Sequence, residues 1–75
     1  MTNEFKTKDL YLSAFLYAKD IDLKEVRREQ NICWFVFKGN NQKLVDNFWS
    51  GREVCNAKAY ADALRTLKDR IFSER

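Results

Sequence analysis

Few side chains in this sequence could do chemistry, and they are poorly placed to do it. There is no histidine, which removes the commonest general base, the usual metal ligand and every histidine-based triad. Two cysteines, Cys33 and Cys55, are too few for a disulfide framework and lack the spacing of a zinc site. A thiol nucleophile needs an activating base or an electropositive pocket. Only Cys55 has anything of the kind: it precedes the last predicted helix, and Arg52 is close in sequence. A half-buried linker cysteine is the commoner outcome by about ten to one. Asp20 and Asp22 form a carboxylate pair, but they flank a strand start and read as turn solvation. Gly39 and Gly51 stand alone, so no phosphate-cradling loop is present. The expectation is a non-enzyme with no cofactor, no metal and no small-molecule substrate.

What remains is binding chemistry, and it centres on Asn31-Ile32-Cys33-Trp34-Phe35-Val36-Phe37-Lys38. The six apolar residues 32–37 are mostly β-branched or aromatic and have polar residues at both ends. Such a run predicts a strand buried on both faces. A 75-residue chain has few elements with which to cover two faces of a sheet. Either helices wrap both sides, or one face waits for a partner.

The elements around this strand can be read from pattern. Residues 1–6 are expected to fray, with Phe5 as an anchor. Thr7 is a candidate N-cap with Asp9 in the first turn. From Lys8 to about Lys19 nearly every position is apolar, a stripe wider than a surface helix needs, so this helix should be central. Asp20 can end it in the left-handed conformation. Ile21–Glu29 alternates imperfectly and carries Lys24, Glu25, Arg27 and Arg28, the composition of an edge strand. Gln30-Asn31 makes a tight reversal into the apolar strand. Asn40 or Asn41 caps a short helix to about Trp49, and Ser50-Gly51 stops it. Asn56 caps the last helix, where Ala57, Tyr60, Ala61, Leu64, Leu67 and Ile71 follow helical spacing. Its opposite face pairs Lys58 with Asp62 and Arg65 with Asp69 at four-residue spacing. The predicted fold is a single two-layer α+β domain over residues 1–75, in the order helix-strand-strand-helix-helix, with an antiparallel β-hairpin packed on the helices.

A two-residue turn sets Val26 opposite Phe35, Arg28 opposite Cys33, Lys24 opposite Phe37, Arg27 opposite Trp34 and Glu25 opposite Val36. Cys33, Phe35 and Phe37 then join Val26 on the core face. Ile32, Trp34 and Val36 share the other face, rimmed by Arg27, Glu25 and Glu29. Three occupants of that second face compete. One of the helices covers it, because small domains seldom leave such a patch open. A homodimer or protein partner uses Ile32, Trp34, Val36 and Arg27, by stacking this face or by pairing strands into one sheet. Or nucleic acid stacks on Trp34, with Arg27, Arg28 and Lys38 for its phosphates.

Composition narrows these choices. Lysines and arginines number 14 against 11 acids, interspersed, for a net charge of +3. That is the pattern of a solvated surface; nucleic-acid binding calls for a basic stripe, and the linear sequence has none. The first nine residues are polar and charged, and no apolar run nears membrane-spanning length. A reduced, cytoplasmic setting without membrane contact is expected.

The segments Phe5-Lys6-Thr7-Lys8-Asp9-Leu10-Tyr11-Leu12, Trp34-Phe35-Val36-Phe37, Asn47-Phe48-Trp49-Ser50-Gly51 and Ala59-Tyr60-Ala61-Asp62-Ala63-Leu64-Arg65-Thr66-Leu67-Lys68 together resemble a small bacterial and mobile-element family known as domain of unknown function 5659. The resemblance covers nearly the whole chain. Its motifs are packing motifs and carry no catalytic residue across. Where that pattern has glycine after the first helix, this chain has Asp20. The expected function is a self-associating interaction module, the alternative being a small nucleic-acid-binding accessory protein.

Overall fold

The computed structural model describes residues 3–73. Its elements are β1 (Glu4–Thr7), α1 (Leu10–Ala18), β2 (Leu23–Glu29), β3 (Ile32–Lys38), α2 (Gln42–Trp49) and α3 (Ala57–Ser73). The strands form one antiparallel sheet in the order β1-β3-β2, so the apolar strand is central and β2 lies at an edge. The α+β fold with a hairpin packed on helices is as expected.

The correction is β1. Met1 and Thr2 lie outside the described residues, but Glu4, Phe5 and Lys6, expected to fray, pair with Lys38, Phe37 and Val36. Four residues of mixed charge carry little local strand signal. They are ordered by the row of backbone groups that β3 offers on its second edge. Phe5 is held by the partner it meets, packing with Phe37 against the core.

Local chemistry fixes the boundaries of α1. Its N-cap is Asp9, not Thr7: the Asp9 carboxylate accepts from the Leu12 amide at 2.9 Å, while the Thr7 hydroxyl accepts from the Asp9 amide at 3.1 Å. Five successive residues, Leu12 to Leu16, are buried, as befits a helix enclosed on several sides. Among them Ser13 satisfies its hydroxyl by donating to the Asp9 carbonyl at 2.7 Å. At the far end Asp20 adopts φ 66°, the Asp20 amide donates to the Tyr17 carbonyl and the Ile21 amide to the Leu16 carbonyl. That is a Schellman motif in which aspartate does the work usually given to glycine. At the end of α2 the same motif uses Gly51 at φ 75°, with the Arg52 amide donating to the Asn47 carbonyl at 2.9 Å.

Gln30 and Asn31 have φ 48° and 68°, the signs required by a type I′ hairpin turn. The resulting register sets Glu29 opposite Ile32, Arg28 opposite Cys33, Arg27 opposite Trp34, Val26 opposite Phe35 and Glu25 opposite Val36. Beyond Glu25 a bulge intervenes. Leu23, not Lys24, faces Phe37, which keeps an apolar side chain on the core face at the start of β2.

The core joins all three helices to one face of the sheet. Leu12, Ala14, Phe15, Leu16, Val45, Ala63 and Leu67 form a single cluster with Val26, Phe35 and Phe37. The Phe15 and Phe48 rings meet at 4.8 Å and tie α2 to α1. Asn56 caps α3 by accepting from the Ala59 amide, and the Tyr60 hydroxyl donates to the Tyr11 carbonyl at 3.3 Å, fastening α3 to α1. Asn41 holds the N-cap position of α2, while the neighbouring Asn40 side chain accepts from the Gln42 amide.

Candidate functional site: the outer face of the sheet

Strand alternation puts Glu4, Lys6, Glu25, Arg27, Glu29, Ile32, Trp34, Val36 and Lys38 on the face opposite the helices. Val36 is 1% exposed yet lies outside the main core cluster. It lies on the face opposite the helices that build the core, flanked by the sheet's own side chains and away from the helix cover that one reading of the sequence expected.

Two ion pairs cross the face on which it lies. Lys24 on β2 reaches Glu4 on β1, and Lys6 on β1 reaches Glu29 on β2 at 3.8 Å. β1 and β2 are separated by β3, a gap of about 9.6 Å at ordinary strand spacing. Both pairs consequently arch over the central strand. The Lys6 ammonium lies 4.9 Å from the centroid of the Trp34 ring, within cation–π range. The lysine stems are apolar and cross the face that carries Val36 and Trp34, which fits the low exposure of Val36, while their charged ends stay in water.

Arg27, opposite Trp34, is held by its own strand. Its Nε donates to Oε1 of Glu25 and its Nη2 to Oε2, both at 3.1 Å. This bidentate hydrogen bond holds the Glu25 carboxyl below its ordinary pKa and makes the guanidinium still harder to deprotonate.

The expected partner-binding residues thus share a face but are not equally available. Val36 is sealed and cannot meet a partner. Ile32 is 36% exposed, Trp34 half-buried and Arg27 exposed beside it. Of the residues expected for nucleic acid, Arg27 and Lys38 lie on this face, whereas Arg28, opposite Cys33, lies on the helix side. The three do not converge. Glu4 and Lys6, which build the cover, escape sequence reasoning because they act only through β1. The available signal was the alternation Glu4, Phe5, Lys6, Thr7, short but of strand period.

Away from the sheet, Cys55 is half-buried against the core beside Tyr60. Burial, with lesser contributions from Cys55 and Tyr11, raises the Tyr60 phenol's pKa. Among the described residues no three histidine, cysteine, aspartate or glutamate side chains gather as metal ligands, and no helix is long and apolar enough to cross a membrane.

The family model for a domain of unknown function (DUF5659) matches residues 2–73. The chain belongs to that family. Its description assigns no activity, so function is left to the geometry. Comparison with curated proteins and with solved structures gives no match.

Proposed function

We propose that this domain is a non-catalytic, cytoplasmic interaction module that associates with copies of itself through its sheet. The observation that carries this reading is the position of β2. It is seven residues long, pairs with β3 on one side, and has no strand on its other side among the described residues. A strand edge of that length presents unpaired backbone donors and acceptors to a second chain. Ile32 and Trp34 stand next to it on the outer face, adding apolar surface to a partner's approach. Pairing across a two-fold axis would also double a three-stranded sheet.

Nucleic-acid binding draws less support from the geometry. Lys6, Lys24 and Arg27 each hold a carboxylate on this face, so phosphates would have to displace Glu29, Glu4 and Glu25. Sedimentation velocity from micromolar to near-millimolar protein tests the proposal. A dimer that grows with concentration is expected, and a monomer throughout overturns it. Titration with single-stranded DNA and RNA at low salt should be flat. Binding with a steep salt dependence would favour the nucleic-acid function instead.

A further inference from the structure

We infer that a second copy of the chain adds antiparallel to the free edge of β2, centred on Val26, so that Glu25 of each copy meets Arg27 of the other in one six-stranded sheet. This rests on the self-association proposed above and specifies its register.

Backbone geometry limits the possibilities. In an antiparallel ladder leaving a two-residue turn, hydrogen-bonded and non-bonded pairs alternate, beginning with the bonded pair at the turn. Here that makes Glu29–Ile32, Arg27–Trp34 and Glu25–Val36 the bonded pairs. The N–H and C=O groups of Val26 and Arg28 accordingly point away from β3, toward the open edge. A two-fold axis perpendicular to the sheet passes midway between one residue of β2 and its own copy. It keeps both sets of helices on the same side.

Charge then selects the centre. An axis at Arg27 sets Arg27 against itself and Glu25 against Glu29. An axis at Glu25 opposes the two Glu25 carboxylates, and one at Arg28 opposes the two Arg28 guanidiniums. Like charges directly opposite each other destabilise a strand pair. An axis at Val26 sets the two Val26 residues together as a bonded pair and brings Glu25 and Arg27 into two opposite-charge pairs. Those residues already form a bidentate pair within each strand, so four alternating charges close into a square on the outer face. The next pair in this register, Lys24 with Arg28, is like-charged. The bulge between Leu23 and Glu25 shifts Lys24 out of step, and its ammonium is engaged by Glu4 on the outer face, whereas Arg28 lies on the helix side.

Glu25 and Arg27 are exposed, so both can be reversed with the fold intact, which circular dichroism would verify. Sedimentation equilibrium of E25R and of R27E should show dimerisation weakened by about tenfold or more, because each homodimer then faces like charges. An equimolar mixture of E25R with R27E restores both opposite-charge contacts in a heterodimer and should recover wild-type association. The double variant E25R/R27E should do the same alone. A wild-type dimer whose single variants associate normally, or whose mixture fails to recover, overturns this register and leaves self-association standing. A wild-type chain that stays monomeric, including one that pairs only with another protein's strand, overturns both.

Discussion

The cover over Val36 and Trp34 is the least ordinary feature of this fold, and replacing Lys6 tests it. Three contributions meet in that side chain. Its ammonium 4.9 Å from the Trp34 centroid contributes about 0.5–1 kcal/mol at a partly exposed site. The pair with Glu29, at 3.8 Å between side chains 45% and 50% exposed, adds at most about 0.5 kcal/mol after solvent screening. The stem hides apolar surface of Trp34 and Val36; about 40 Å² kept from water is worth about 1 kcal/mol. Lys6→Ala should therefore cost about 2 kcal/mol, and Lys6→Met, which keeps a stem and loses the charge, about 1 kcal/mol. Urea unfolding at a concentration where the chain is monomeric measures both. In a Trp49→Phe background, chosen because Trp49 is 60% exposed, the emission of Trp34 should shift to the red in Lys6→Ala and little in Lys6→Met. Lys6→Ala within about 0.5 kcal/mol of the parent, the range of ordinary surface changes, would refute the cover. Equal losses in the two variants would refute the role of the stem.

Other consequences follow from single residues. Asp20 holds φ 66°, so Asp20→Ala should lose about 1 kcal/mol in urea unfolding, while Asp20→Gly should be neutral or stabilising. Val36→Glu would bury a charge at a position 1% exposed; loss of cooperative unfolding is expected, and a folded monomer would contradict the sealing of Val36. Phe5→Ala should destabilise the sheet by about 2 kcal/mol and speed amide exchange at Phe35 and Phe37; unchanged exchange would count against β1. The pKa of Glu25 is lowered from 4.5 chiefly by Arg27, so its contribution is present above 4.5 and is lost as pH falls through the depressed value. Dimerisation should weaken over that acid range in the wild type. Glu25→Gln should be weak at neutral pH and should lack this acid step.

Much of this fold is legible from sequence because it is set locally. The Gln30-Asn31 reversal fixes the hairpin register, and the nearly continuous apolar character of Leu10–Ala18 identifies a central helix. Asp20, Asn56 and the Ser50-Gly51 pair end or begin helices where their chemistry suggests. What escapes depends on distant partners. Glu4–Thr7 becomes a strand only because β3 has a second edge to fill, and the bulge at Lys24 follows from the need to point Leu23 at the core. Thr7 and Asp9 are both good caps by type, and only the path of the chain decides between them. The candidate site divides the same way. The shared face of Trp34, Val36 and Arg27 follows from the hairpin, but the burial of Val36 cannot be seen without β1, whose Lys6 lies opposite it.

Amide hydrogen exchange at Val26, followed by NMR at low and high protein concentration, tests association through β2 most directly. The Val26 and Arg28 amides face the open edge, while those of Arg27 and Glu25 face β3. If the edges pair, Val26 exchange slows steeply as the dimer forms, and Arg27 stays protected at both concentrations. Val26 exchange that stays fast while the chain is dimeric by sedimentation would contradict pairing through this strand.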